Sequence, residues 1–183
     1  MTEPRQSSVE GLSRTDLEAL GIRRAGGLIP STRIVAFRVL GTPAPQAGMR
    51  SVRTARGVRR ITEGGVNLPT WRQAIAVEAA VAAVAAGCQE GALGLDLTFR
   101  FRCPASSRLK WEKEAADTPQ GLPMIVRPDL DKLERAVSDA LVEGGLIRDD
   151  ALICSVVKRK VEVWDSWIGL DLVLNRVPRE AVA

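Results

Sequence analysis

Residues 93–102 read LGLDLTFRFR, and Leu93, Leu95, Leu97, Phe99 and Phe101 alternate without a break with smaller or polar residues. A period of two puts all five large apolar side chains on one face of a β-strand, so the chain must supply a layer to cover that face. Two segments of helical character can do so. Leu68 to Ala86 is alanine-rich, with Trp71, Ile75, Val77, Val81 and Val84 spread around it and Gly87 behind it, which predicts a largely buried helix. Residues 129–143 carry Leu130, Leu133, Val137 and Leu141 at helical spacing, closed by Gly144 and Gly145. Residues 33–40, RIVAFRVL, read as a strand, with a further short strand near Val58 to Thr62. Residues 151–163 and 167–175 read as two more, joined around Asp165 and Ser166 as an antiparallel hairpin in which Trp164 and Trp167 meet across the strands. The expected fold is α+β, ordered β-α-β-α-β-β, with a mixed sheet of about four strands packed by two main helices over residues 32–177.

The remainder is peripheral. Residues 1–31 are polar and broken by Gly and Pro, with Thr15 and Glu18 matching a capping box and Gly21 a stop, and are read as an N-terminal appendage. Residues 178–183 form a short tail. A chain of 183 residues that is 45% apolar and 26% charged can build one ordinary domain core. No apolar run approaches the ~20 residues of a membrane span, and the start MTEPRQSSVEG lacks the features of a signal peptide, so a cytoplasmic location is expected. Cys88, Cys103 and Cys154 form no C-x-x-C pair and read as small core residues.

Histidine and tyrosine are both absent. That excludes Ser-His-Asp hydrolysis, histidine-metal nucleases, zinc deaminases and tyrosine nucleophiles, and leaves carboxylate, metal, lysine and arginine chemistry. Four carboxylates then stand out within VRPDLDKLERAVSDALVEGGLIRDDAL: Asp129 and Asp131 where a helix should begin, Asp149 and Asp150 where a strand should begin. Gathered without histidine, such groups suit a hard divalent metal such as Mg²⁺ and so metal-assisted phosphodiester chemistry. Each pair alone also fits an ordinary role, since acidic residues favour helix N-termini and turns. Two like-charged pairs brought together, however, need a cation between them. The short connection 144–148 just permits a return to the helix start; a strand running alongside the helix, or a second subunit, are the alternatives.

The net charge is only +4, but its distribution is uneven. Arg33, Arg38, Arg50, Arg53, Arg56, Arg59 and Arg60 occur with no Asp or Glu among them, and Lys158, Arg159 and Lys160 follow the second acidic pair. Cations flanking an acidic site are what phosphate binding requires, with a solvated arginine face as the plain alternative. Residues 104–127 lack any period and carry Arg108, Lys110, Trp111 and Lys113, as expected of a surface loop, and could close over bound DNA.

The string PDLDKLERAVSDALVEGGLIRDD, with the preceding LGTPAPQAGMR and the later Lys160, resembles the RusA family of Holliday junction endodeoxyribonucleases. The resemblance spans about residues 33–175 and is most specific over 127–160. It implies a Mg²⁺-dependent enzyme, with Mn²⁺ as a substitute, that acts as a homodimer and nicks branched DNA in pairs. It also implies metal binding by Asp129, Asp131 and Asp150, with Asp149 left to a supporting or turn role. Arg135 occupies the place of the family's lysine, so it preserves charge but not proton transfer. Lys132 occupies the place of the family's asparagine and offers a neighbouring amine, and Asp139 is expected to orient Arg135. Arg50, Arg53, Arg59, Arg60, Lys132, Lys158 and Lys160 are the expected DNA contacts. The alternatives are a branched-DNA-binding protein that has lost catalysis and a phosphohydrolase acting on nucleotides.

Overall fold

A computed structural model describes residues 31–46, 50–53, 59–62, 67–107, 109, 113, 121–164 and 167–178. The alternating segment is strand β4 (Leu93–Arg102), and all five of its large apolar side chains are buried. Around it lie β1 (Thr32–Leu40), β5 (Leu122–Pro123), β6 (Ile153–Val163) and β7 (Gly169–Arg176) in the spatial order β1-β7-β4-β6-β5. The sheet is mixed, because β4 pairs in parallel with β6 and antiparallel with β7. It has five strands rather than four, and β2 (Arg50–Arg53) and β3 (Arg59–Thr62) form a separate antiparallel pair. The expected hairpin of the last two strands does not form: β4 lies between β6 and β7. Packing decides this. Both edges of β4 are paired, and hydrogen bonding to a neighbour on each side buries its apolar stripe more completely than an edge position would.

Helix α1 (Leu68–Ala86) and helix α2 (Leu130–Glu143) pack together over the apolar face of the sheet. α2 is amphipathic as its spacing predicts, burying Leu133, Ala136, Val137, Ala140 and Leu141. α1 departs from expectation. Leu68, Trp71, Ile75 and Ala79 are buried, but Val77, Val81 and Val84 lie outward, the last 90% exposed. An alanine-rich helix has little apolar contrast between its faces, so only the contact with α2 and β1 selects the buried one. No helix among the described residues is long and apolar enough to cross a membrane.

Two glycines permit close approaches. Gly144 ends α2 against α1, where an added Cβ would lie 2.5 Å from the Ala76 carbonyl oxygen and 2.6 Å from Ala79 Cβ. Gly169 opens β7 at φ 147°, where a Cβ would strike the Val39 carbonyl. Of the cysteines only Cys103 is buried; Cys88 and Cys154 are exposed. Burial pushes the Cys103 thiol up, with Glu162 adding to it.

The face of the sheet away from the helices is polar. Arg38 and Arg100 both pair with Asp171, at 3.2 and 3.1 Å, and both lie over the Trp167 ring, at 3.9 and 4.8 Å from its centroid. The Trp167 ring thus takes two cations on this face. Residues 1–30, the tail from 179, Arg56, Arg108, Lys110, Trp111, Asp165 and Ser166 lie outside the described residues.

Candidate active site

The segment after β1 turns at Gly41, where Gly41 N donates to Ile168 O, and runs inward through buried Pro43 and Ala44 to Gln46. There Gln46 N donates to the Lys132 carbonyl at 2.9 Å, which pins this segment to the first turn of α2. The opposite flank is held by β6. Lys160 Nζ donates to the carbonyls of Val126 and Pro128, the latter at 2.7 Å, while Lys158 pairs with Glu134 at 2.5 Å. The peptide between Arg127 and Pro128 is cis. Lys158 and Lys160 are thus committed to carboxylate and carbonyl partners within the chain.

Asp129 is the N-cap residue of α2, yet its side chain makes no capping bond. Its carboxylate instead meets Lys132 Nζ at 2.9 Å, and the hydrogen bond from that amine, followed by its charge, holds Asp129 below the usual carboxylate range; Arg127 and Lys160 add to the effect. Asp131 projects from the same turn, exposed and without an ion pair among the described residues. Arg135 follows one turn later, exposed, also without an ion pair among the described residues. Asp139 does not orient it. Asp139 turns toward α1, where Arg72 pairs with it at 3.8 Å and with Glu143 as well.

The second acidic pair lies at the other end of the layer. Asp149 caps a short 3₁₀ turn at 150–152, its Oδ1 accepting from Ala151 N at 2.8 Å, and Asp150 is exposed as the turn's first residue. Gln89 N bonds Leu146 O and Arg148 N bonds Gln89 O, so this turn is tied beside the C-terminal end of α1. β6 then runs antiparallel to α2, which carries it from Ile153 toward Lys160 and the helix start. At ~3.3 Å per residue that stretch alone covers about 23 Å, whereas carboxylates sharing a Mg²⁺ each lie ~2 Å from it. Within one chain, then, Asp129 and Asp131 come together and Asp150 does not join them. No group of three metal-binding side chains occurs among the described residues. Arg50, Arg53, Arg59 and Arg60 lie on the β2–β3 pair, in which Arg53 is opposite Arg59 and Arg60 opposite Val52.

Gln46 lies within the segment LGTPAPQAGMR. No curated protein sequence matches this chain. The family model of the endodeoxyribonuclease RusA matches residues 41–166, which contain the Gly41–Gln46 segment, both acidic pairs, α2 and β6. With well over half of its 183 residues covered by that match, the chain belongs to the RusA endodeoxyribonuclease family.

Proposed function

We propose that this chain is a cytoplasmic, Mg²⁺-dependent, structure-specific endodeoxyribonuclease that resolves four-way DNA junctions by paired nicks, working as a homodimer. Family membership supports nuclease action on branched DNA. The observation that carries the site assignment is that Asp129 and Asp131 are exposed at a helix start and neither is spent on capping it. The donor chemistry fits a hard cation: the groups are carboxylates, hard oxygen donors, with no histidine in the chain. Asp129, Asp131 and Asp150 would hold the metal, which when bound supplies an activated water and charge stabilisation at the phosphate.

The chain's own groups have distinct parts in this reading. Lys132 keeps Asp129 ionised. Arg135 presents a planar guanidinium to the non-bridging phosphate oxygens and neutralises their charge. The separation of Asp150 from α2's first turn supports completion of each site by the partner copy. A two-fold dimer then makes two identical centres, which suits two symmetric incisions. The β2–β3 arginines supply the sequence-independent grip on the backbone.

The test is cleavage of a synthetic four-way junction with and without Mg²⁺. Wild-type protein should nick only with the metal, and Asp131→Asn should lose at least about a hundredfold in rate while still binding the junction. Undiminished cleavage by that variant would falsify the metal-site assignment. Binding without nicks by the wild type at any Mg²⁺ or Mn²⁺ concentration would identify a binding protein instead.

A further inference from the structure

Helix α1 buries one side and leaves a valine stripe on the other. Val77 and Val81 are 50% and 49% exposed, Val84 is 90% exposed, and Ala80, Ala85 and Cys88 are exposed beside them. The steps from Val77 to Val81, Val84 and Cys88 are four, three and four residues, the spacing of a seam that faces a second helix. Single exposed apolar residues are ordinary on a protein surface, but valines aligned along one helix face make a continuous patch. No charged residue stands among these positions, so a phosphate backbone finds nothing to bind there, whereas an identical uncharged face does.

The two ends of α1 carry the two halves of the candidate centre. At its start, Gly41 lies against the Trp71 ring, where an added Cβ would be 3.6 Å from Cζ3. The segment that begins at Gly41 reaches the first turn of α2 at Gln46, whose N bonds Lys132 O, and Asp129 and Asp131 belong to that turn. At the other end, the bonds between Gln89 and both Leu146 and Arg148 tie the turn of Asp149 and Asp150 beside the last residues of α1. The 19 residues of α1 span about 28 Å at ~1.5 Å per residue, enough to bridge the separation of the acidic pairs. A two-fold axis perpendicular to α1 sets each helix start beside the partner's helix end, and so brings each Asp129–Asp131 pair toward the partner's Asp150. An axis parallel to α1 would set like ends together and leave both centres incomplete.

Building on the reading that a partner copy completes each site, we propose that the Val77, Val81 and Val84 face of α1 is the homodimer interface, packed antiparallel on the same face of a second copy with the two-fold axis at Val81. Val81 then meets its own counterpart, and Val77 meets the partner's Val84.

The experiment uses the full chain, followed by sedimentation, circular dichroism and junction cleavage. Wild-type protein should sediment as a dimer. Val81→Glu sets two like charges against each other in an apolar seam and should raise the dimer dissociation constant at least about a hundredfold while the circular dichroism stays that of the folded protein. Dimer and paired nicks should be lost together, and mixing with Val81→Lys should recover dimer, because opposite charges then meet at the axis. In a chain carrying Cys88→Ser and Cys154→Ser, Val81→Cys should form an intermolecular disulfide on oxidation. With Cys154→Ser alone, Cys88 should not link to itself, since antiparallel packing holds the two copies about 21 Å apart along the helices at ~1.5 Å per residue. A Val81→Glu protein that remains dimeric, or a Cys88 that links as readily as Val81→Cys, overturns this interface and leaves the homodimer standing. Wild-type protein that nicks junctions as a monomer overturns the interface and completion by a partner together. A dimer that links through Val81→Cys, yet whose wild type cleaves no junction, supports the interface and overturns the nuclease reading.

Discussion

Asp129 and Asp96 are displaced in opposite directions, because one is exposed beside a cation and the other is half-buried in the sheet. Asp129 is exposed and lowered by Lys132. Asp96 lies on the polar face of β4, where burial raises its carboxyl while the hydrogen bond from Asn175 at 3.2 Å and the charge of Arg159 pull the other way. A raised acid binds its proton more tightly when folded than when unfolded, so folding stability falls as pH rises from the ordinary carboxylate range through the raised value and is level beyond it. Asn at this position can still accept from Asn175 and has no charge to desolvate. Asp96→Asn should therefore melt above wild type at pH 7, with the advantage shrinking as pH falls through the carboxylate range. Thermal melts from pH 3 to 7 check this; an advantage independent of pH would remove desolvation as the cause.

At the scale of elements, the junction of α1 and α2 is the tightest constraint on the site. Arg72 clamps Asp139 and Glu143 at the end of α2, and Gly144 lets that end sit against Ala76 and Ala79. Since β6 is in turn tied to the start of α2 through Lys158 and Lys160, a shift at Gly144 moves the acidic turn relative to the core. Gly144→Ala places a methyl group against main chain, an overpacking that should cost about 1–3 kcal/mol. A melting temperature lowered by several degrees, with the helix content of the folded state unchanged by circular dichroism, is the expected result. Unaltered melting would mean that the helices part at no cost. The exposed Val77, Val81 and Val84 on the outer side of α1 take no part in this contact.

For the whole molecule, the decisive feature is that β6 and α2 run in opposite directions, which holds the two acidic pairs apart within one chain. A site completed by a partner makes a prediction that a site completed within the chain does not. Asp131→Asn and Asp150→Asn should each be inactive as pure homodimers. Mixed and allowed to exchange subunits, they form a heterodimer in which one centre carries both substitutions and the other carries none. Random pairing then restores roughly a quarter of wild-type sites, and each active dimer nicks a junction once instead of twice. A gel that resolves single from paired nicks reads this directly. Mixtures as inactive as their components would place all three carboxylates in one subunit.

Much of this protein was legible in its residues. The period of β4 determined a half-buried strand, the spacing of Leu133, Val137 and Leu141 determined the face of α2, and the array of Asp129, Asp131 and Asp150 carried the family, because local periodicity and motif spacing are properties of the chain alone. Tertiary structure decided what depends on partners distant in sequence. It inserted β4 between β6 and β7, turned Asp139 to Arg72 instead of Arg135, left α1 half exposed, set Gln46 against Lys132, and put Asp150 at the opposite end of α2 from Asp129 and Asp131. Adjacency of two strands in sequence favours a hairpin, but which strands pair is settled by how the whole sheet buries its apolar face against the helices, and no single segment encodes that outcome.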